Sequence, residues 1–130
     1  MKCPYCNKKA EWVENKEVYG RNVGKSYMIY LCRDCDAYVG CHKNTRNALG
    51  SMANKELRDL RSRVHDMIDP YWVGRRGKRE WRTKVYNRLG KWWGNEFHVG
   101  WLREEDCKYV IENLDMGSLM SGLSKLKDNK

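Results

Sequence analysis

The chain has 130 residues, 41% of them hydrophobic, and carries a formal net charge of +9. That length holds one compact domain, or a small metal module joined to a small helical one. No apolar run reaches the ~18 residues of a membrane span, so neither a spanning helix nor a membrane partner is expected.

The N-terminus opens directly on Cys3-Pro4-Tyr5-Cys6, which leaves no expected secretory leader. A reducing cytoplasm is then the expected compartment, where thiolates stay free to bind metal. A second pair, Cys32-Arg33-Asp34-Cys35, repeats the C-x2-C spacing 25 residues further on. A two-residue gap inside a tight turn lets both sulfurs aim at one point. Two such turns face to face give the closed tetrahedral thiolate cage of a structural Zn²⁺ site. A redox dithiol needs only one such pair. The expected ligands are therefore Cys3, Cys6, Cys32 and Cys35, holding one zinc ion. Four thiolates leave no open position for water, so catalysis at this metal is not expected. The cage would carry formal charge −2, which Lys2, Lys8, Lys9 and Arg33 are placed to offset.

Between the pairs, Glu11–Tyr19 and Tyr27–Leu31 read as strands, the second alternating aromatic and apolar residues. Gly20-Arg21-Asn22-Val23-Gly24 is turn chemistry. Gly24-Lys25-Ser26 imitates the end of a phosphate-binding loop. The required first glycine is Tyr19, however, and the segment joins two strands, so the motif is rejected. Ala37–His42 reads as a third strand. The expected unit over residues 1–50 is a three-stranded zinc ribbon. Its few large aliphatics imply that metal supplies much of its folding energy.

Residues 43–53 read as a loop, and a helical module is expected over 51–114. Asn54 is the expected N-cap of a first helix, in which Leu57, Leu60, Val64 and Ile68 recur at helical spacing. Asp69-Pro70 ends it, because the residue before proline avoids the α region. Gly74-Arg75-Arg76-Gly77 links to a second helix over residues 78–89, with Trp81, Val85 and Leu89 inward and Gly90 as its stop. A third helix spans about Arg103 to Leu114, with Cys107, Val110, Ile111 and Leu114 inward and acids crowding its first turn. Residues 115–130 read as a tail, frayed or disordered. The expected class is α+β: the ribbon packed on a module of about three helices.

The charge is uneven. Residues 75–100 carry eight basic and two acidic side chains, whereas residues 101–130 carry five and six. Arg75, Arg76, Lys78, Arg79, Arg82, Lys84, Arg88 and Lys91 form a localised basic stretch, the electrostatic footprint of a polyanion. Adjacent Trp92 and Trp93 offer an indole for stacking on unpaired bases, one expected inward and one outward. The bland alternatives are a solvated helix face and core tryptophans. Cys41, His42, His65, His98 and Cys107 remain as candidate ligands of a second metal. They show no shared helical face and no C-x2-C partner, so a second ion is not expected.

The stretches Cys3-Pro4-Tyr5-Cys6, Val18-Tyr19-Gly20 and Cys32 to Lys43 resemble the zinc-finger-containing proteins of unknown function found in bacteriophages and prophages. The resemblance continues through Leu49-Gly50, Met52 to Arg58, His65, Asp69-Pro70-Tyr71-Trp72, His98-Val99-Gly100 and Cys107. It implies a zinc-binding protein of phage type in a host cytoplasm, and it supplies no activity. The expected function is non-catalytic nucleic-acid binding through the basic helix, with no small-molecule substrate. The competing expectations are a protein-binding factor that meets an acidic partner surface, and a metal nuclease requiring His42, His65 and His98 to converge.

Overall fold

Strands Glu11–Glu14 (β1), Met28–Cys32 (β2) and Ala37–Gly40 (β3) form one antiparallel sheet, with β2 in the centre. They belong to a computed structural model that describes residues 1–20 and 25–121. Register is set by β2, where Ile29, Leu31 and Cys32 are buried and Met28 and Tyr30 only half-buried. Tyr30 opposes Trp12 on one side and Val39 on the other. The loop after β3 is fastened to it rather than free, through antiparallel bridges Cys41–Ala48 and Tyr38–Ala53.

The first strand is shorter than its sequence suggests. Expected to run to Tyr19, it ends at Glu14, and Lys16–Tyr19 (α1) makes a single helical turn closed by Gly20 at φ +75°. Asn15 causes the break. Fully buried, it donates through Nδ2 to the Lys25 carbonyl and accepts the Tyr27 N–H at Oδ1, both at 3.3 Å. Its own carbonyl accepts from Val18 and Tyr19. The expected turn at Arg21–Gly24 lies outside the described residues.

Helix Lys55–Ile68 (α2) begins where expected: Asn54 Oδ1 accepts the Leu57 N–H at 3.0 Å. Proline stops it, and Asp69–Tyr71 tightens into a 3-10 turn. Helix Lys78–Trp93 (α3) buries Trp81, Val85 and Leu89, as its spacing implies. It does not stop at Gly90. It runs one turn further, to Gly94, whose φ of +90° provides the left-handed C-cap. A second 3-10 turn, Val99–Trp101, precedes helix Glu104–Asn113 (α4). In α4, Cys107 and Val110 are buried and Ile111 is half-buried. Residues 116–121, expected within the tail, are helical, with Met116 and Met120 buried; 122–130 lie outside the described residues.

The chain divides into two compact units. The first, Met1–Asp59 with Gly100–Arg103, contains the sheet and a small core of Cys3, Ala10, Cys32, Ala37, Val39 and Met52. The second comprises Leu60–Val99 and the described residues from Glu104 onward. It buries Val64, Ile68, Trp81, Val85, Leu89 and Phe97 together with Cys107 and Val110.

Candidate metal centre

The first cysteine turn is a miniature hairpin. Lys2 bridges Lys9, the Cys3 N–H donates to the Lys8 carbonyl, and the Asn7 N–H donates back to Cys3, both at 2.8 Å. The second turn is dictated by the sheet, because Cys32 and Ala37 pair across β2 and β3 and leave Arg33–Asp36 to close the hairpin. Each turn exits through a left-handed residue, Asn7 at φ +65° and Asp36 at φ +50°. Asparagine and aspartate are the non-glycine residues that tolerate this region best.

The start of α2 holds both turns. The Asn54 N–H donates to Tyr5 Oη at 3.1 Å, which ties down the first. Arg58 ties down the second: its guanidinium donates to the Asp36 carbonyl and, at 3.1 Å, to Asp36 Oδ2, and reaches the Ala53 carbonyl at 2.9 Å. The same guanidinium lies 4.1 Å from the ring centre of Tyr38. Neither Tyr5 nor Arg58 is marked by any metal-site spacing.

The result brings together the expected ligands. The sulfurs of Cys3, Cys6, Cys32 and Cys35 all lie within 4.8 Å of one another, and those of Cys6 and Cys32 are 3.7 Å apart. A zinc–sulfur bond of ~2.3 Å implies a tetrahedron edge of about 3.8 Å, whereas a disulfide would hold its sulfurs at ~2.05 Å. All six cysteines are free. The four thiols share one small volume. Burial opposes ionisation of Cys3, yet backbone N–H groups of Tyr5 and Cys6 hold its thiol below the usual range. Burial and hydrogen bonds from its three neighbours push Cys35 up to about 12. A dication relieves this conflict by letting all four ionise. When bound, zinc supplies a four-coordinate cross-link with no open position.

Of the cations expected to offset the cage, Lys8 pairs with Asp34 at 3.2 Å, and Arg33 pairs with Glu11 at 2.8 Å and Glu17 at 3.5 Å. The other candidate ligands sit elsewhere. Cys41 is buried at the end of β3, and His42 is exposed. His65 faces Asp69 at 3.4 Å and His98 faces Glu96 at 3.3 Å. Cys107 is buried within α4, where desolvation raises its thiol. Among the described residues, the four cysteines are the group of three or more such side chains whose ligand atoms converge.

The basic stretch lies in the second unit. Arg75 sits 4.5 Å from the ring centre of Trp81, and Lys84 lies 5.9 Å from the same ring. Arg82 covers Tyr86 at 4.5 Å and Trp72 at 5.6 Å. Arg76, Lys78, Arg79 and Lys91 are exposed, and Arg88 is half-buried. Trp92 and Trp93 do not divide into one in and one out: both are half-buried, 6.0 Å apart, and each packs on Tyr109.

An antiparallel sheet carrying paired cysteine turns at one end defines a zinc-ribbon-like site on an α+β chain. Residues 1–116 match the zinc-finger-containing domain DUF3268, and the chain belongs to that family. No curated protein and no solved structure matches it. Among the described residues, no helix is long and apolar enough to cross a membrane.

Proposed function

We propose that this protein binds nucleic acid through the cations of residues 75–91 and does so without catalysis, zinc serving to hold the ribbon. The observation that carries this reading is a contrast in pairing. In the first unit Lys8, Lys16, Arg33, Lys55 and Arg58 each meet a carboxylate within 3.5 Å, and among its described cations Lys2, Lys9, Lys25, Lys43 and Arg46 do not. Among the described residues, none of the eight cations from Arg75 to Lys91 forms an ion pair.

Their arrangement supports the reading further. Lys84, Arg88 and Lys91, with Asn87, line one cleft of about 360 Å³. They fall at i, i+4, i+7 and i+3 of α3, one helical face. Aromatic rings against the charged heads of Arg75, Arg82 and Lys84 hold them in place and leave N–H groups for phosphate oxygens. The resemblance to phage and prophage proteins supports a host cytoplasm as the setting. A protein partner with an acidic surface is the competing reading. Tyr109 favours it, 54% exposed and backed by Trp92 and Trp93 as an aromatic anchor would be.

Fluorescence anisotropy with labelled DNA and RNA across a salt series tests the proposal. Binding should weaken on a log–log plot by about 0.9 per phosphate contact for duplex, or ~0.7 for single strands. Replacing Arg79, Arg82 and Arg88 by Glu should abolish it. Absence of binding at low salt would refute the proposal and favour the protein partner.

A further inference from the structure

We infer that the nucleic acid held by α3 is single-stranded, with a phosphate in the Lys84–Arg88–Lys91 cleft and an unpaired base in the hollow beside it; this rests on the nucleic-acid reading above. The hollow is a depression open to solvent, of about 560 Å³, and shares Asn87 and Lys91 with the cationic cleft. Its volume falls within the ~300–1,000 Å³ of small-ligand sites.

The hollow is built by the end of α3 and the strap that follows. Gly94, at φ +90°, turns the chain so that 95–98 passes back across the last helical turn. Gly90 permits the approach, since a Cβ there would stand 3.3 Å from the Asn95 carbonyl oxygen. Buried Phe97 anchors the strap, meeting Trp93 edge-on at 5.8 Å and Tyr86 at 6.2 Å. The walls therefore combine the half-buried ring of Tyr86, backed by Phe97, with hydrogen-bonding groups on Asn87, Asn95 and His98.

Charge separates the two compartments. In the hollow Glu96 offsets the shared Lys91 and leaves no net charge, whereas the adjoining cleft has three cations and no acid. A neutral, flat group with amide-complementary edges suits the hollow, and a phosphate suits the cleft. A nucleotide carries both in one covalent unit. Paired bases keep their Watson–Crick edges and faces occupied, so only an unpaired base can enter.

The test compares three fluorescein-labelled probes at matched salt: a 12-nucleotide single strand, the same strand with abasic central residues, and its duplex. The zinc-loaded 130-residue chain is used, and Asn95→Ala/His98→Ala is the pocket variant, checked for an unchanged thermal melt. The intact single strand should bind roughly tenfold more tightly than the abasic strand, and more tightly than duplex. The variant should lose that tenfold advantage while binding the abasic strand as well as the parent does. Equal affinity for intact, abasic and duplex probes would overturn the base hollow and leave electrostatic binding standing. A single-strand preference untouched by the variant would overturn it too. No salt-sensitive binding to any probe would remove the underlying reading itself.

Discussion

Gly50 and Gly100 cross with their backbones in contact inside the first unit. A Cβ on Gly50 would lie 1.9 Å from the Gly100 carbonyl oxygen, and one on Gly100 would lie 2.7 Å from that of Leu49. The Ser51 N–H donates to the same Gly100 oxygen at 2.9 Å. Neither glycine is needed for a positive φ; both are needed because two backbones pass where no side chain fits.

Gly50→Ala therefore forces backbone apart rather than displacing a flexible side chain. Overpacking of this kind costs about 1–3 kcal/mol, and a clash with backbone belongs at the upper end. Urea denaturation of the zinc-loaded protein should show a loss of about 3 kcal/mol. A variant as stable as the parent would mean that the crossing is looser than described.

Arg58 is expected to act on the metal site without touching it. It donates to the carbonyl and carboxylate of Asp36, the left-handed residue immediately after Cys35. Groups that orient metal ligands are worth about 10–100-fold in metal affinity. Arg58→Ala should weaken zinc binding by about tenfold in chelator competition. Arg58→Lys should recover little, because an ammonium cannot reproduce the planar fork. Wild-type affinity in Arg58→Ala would remove the arginine from the site.

The metal ligands were legible because cysteine spacing is local: each pair needs only its own turn. Helix α2 was legible for the same reason, with Asn54 at its start and Pro70 at its end. What the sequence concealed depends on partners distant along the chain. Gly90 carries the signature of a helix stop, yet its missing side chain makes room for the Asn95 carbonyl, and Gly94 ends α3. Trp92 and Trp93 gave no sign of Tyr109, which packs on both. The strand expected through Tyr19 fails at Asn15, whose preference for turns is weak evidence until Lys25 and Tyr27 are known to meet it.

Asn15 thereby becomes a sharp test of the ribbon. It is fully buried, and its amide joins the end of β1 to the entry of β2 through one donor and one acceptor. Asn15→Ala leaves the Lys25 carbonyl and the Tyr27 N–H without that partner. A buried group left unsatisfied costs ~1–3 kcal/mol, so a loss of about 2 kcal/mol is expected in denaturant melts. Asn15→Asp should do at least as much harm, since it removes the donor and buries a charge. An aspartate variant more stable than the alanine variant at neutral pH would show that the site is wetter than its burial indicates.

Zinc binding should be proton-coupled and should decide whether the first unit folds. Cys3 and Cys32 lie in its small core, with Cys6 and Cys35 packed against them, so losing the ion removes the cross-link at the centre of the apolar cluster. Structural zinc contributes ~10–16 kcal/mol in comparable small sites; strong chelation should therefore erase the β signal of the ribbon. Without metal the Cys35 thiol is pushed up to about 12 by burial and by its neighbours, and it stays protonated near neutrality. Zinc must displace that proton to bind the Cys35 thiolate. The metal-bound form then holds fewer protons, and lowering the pH favours the metal-free form. Calorimetry in buffers of different ionisation enthalpy should give one ion per chain and a net release of protons. Affinity should then fall as the pH is lowered through the neutral range. A stoichiometry of two, or an affinity indifferent to pH, would contradict a single four-thiolate site.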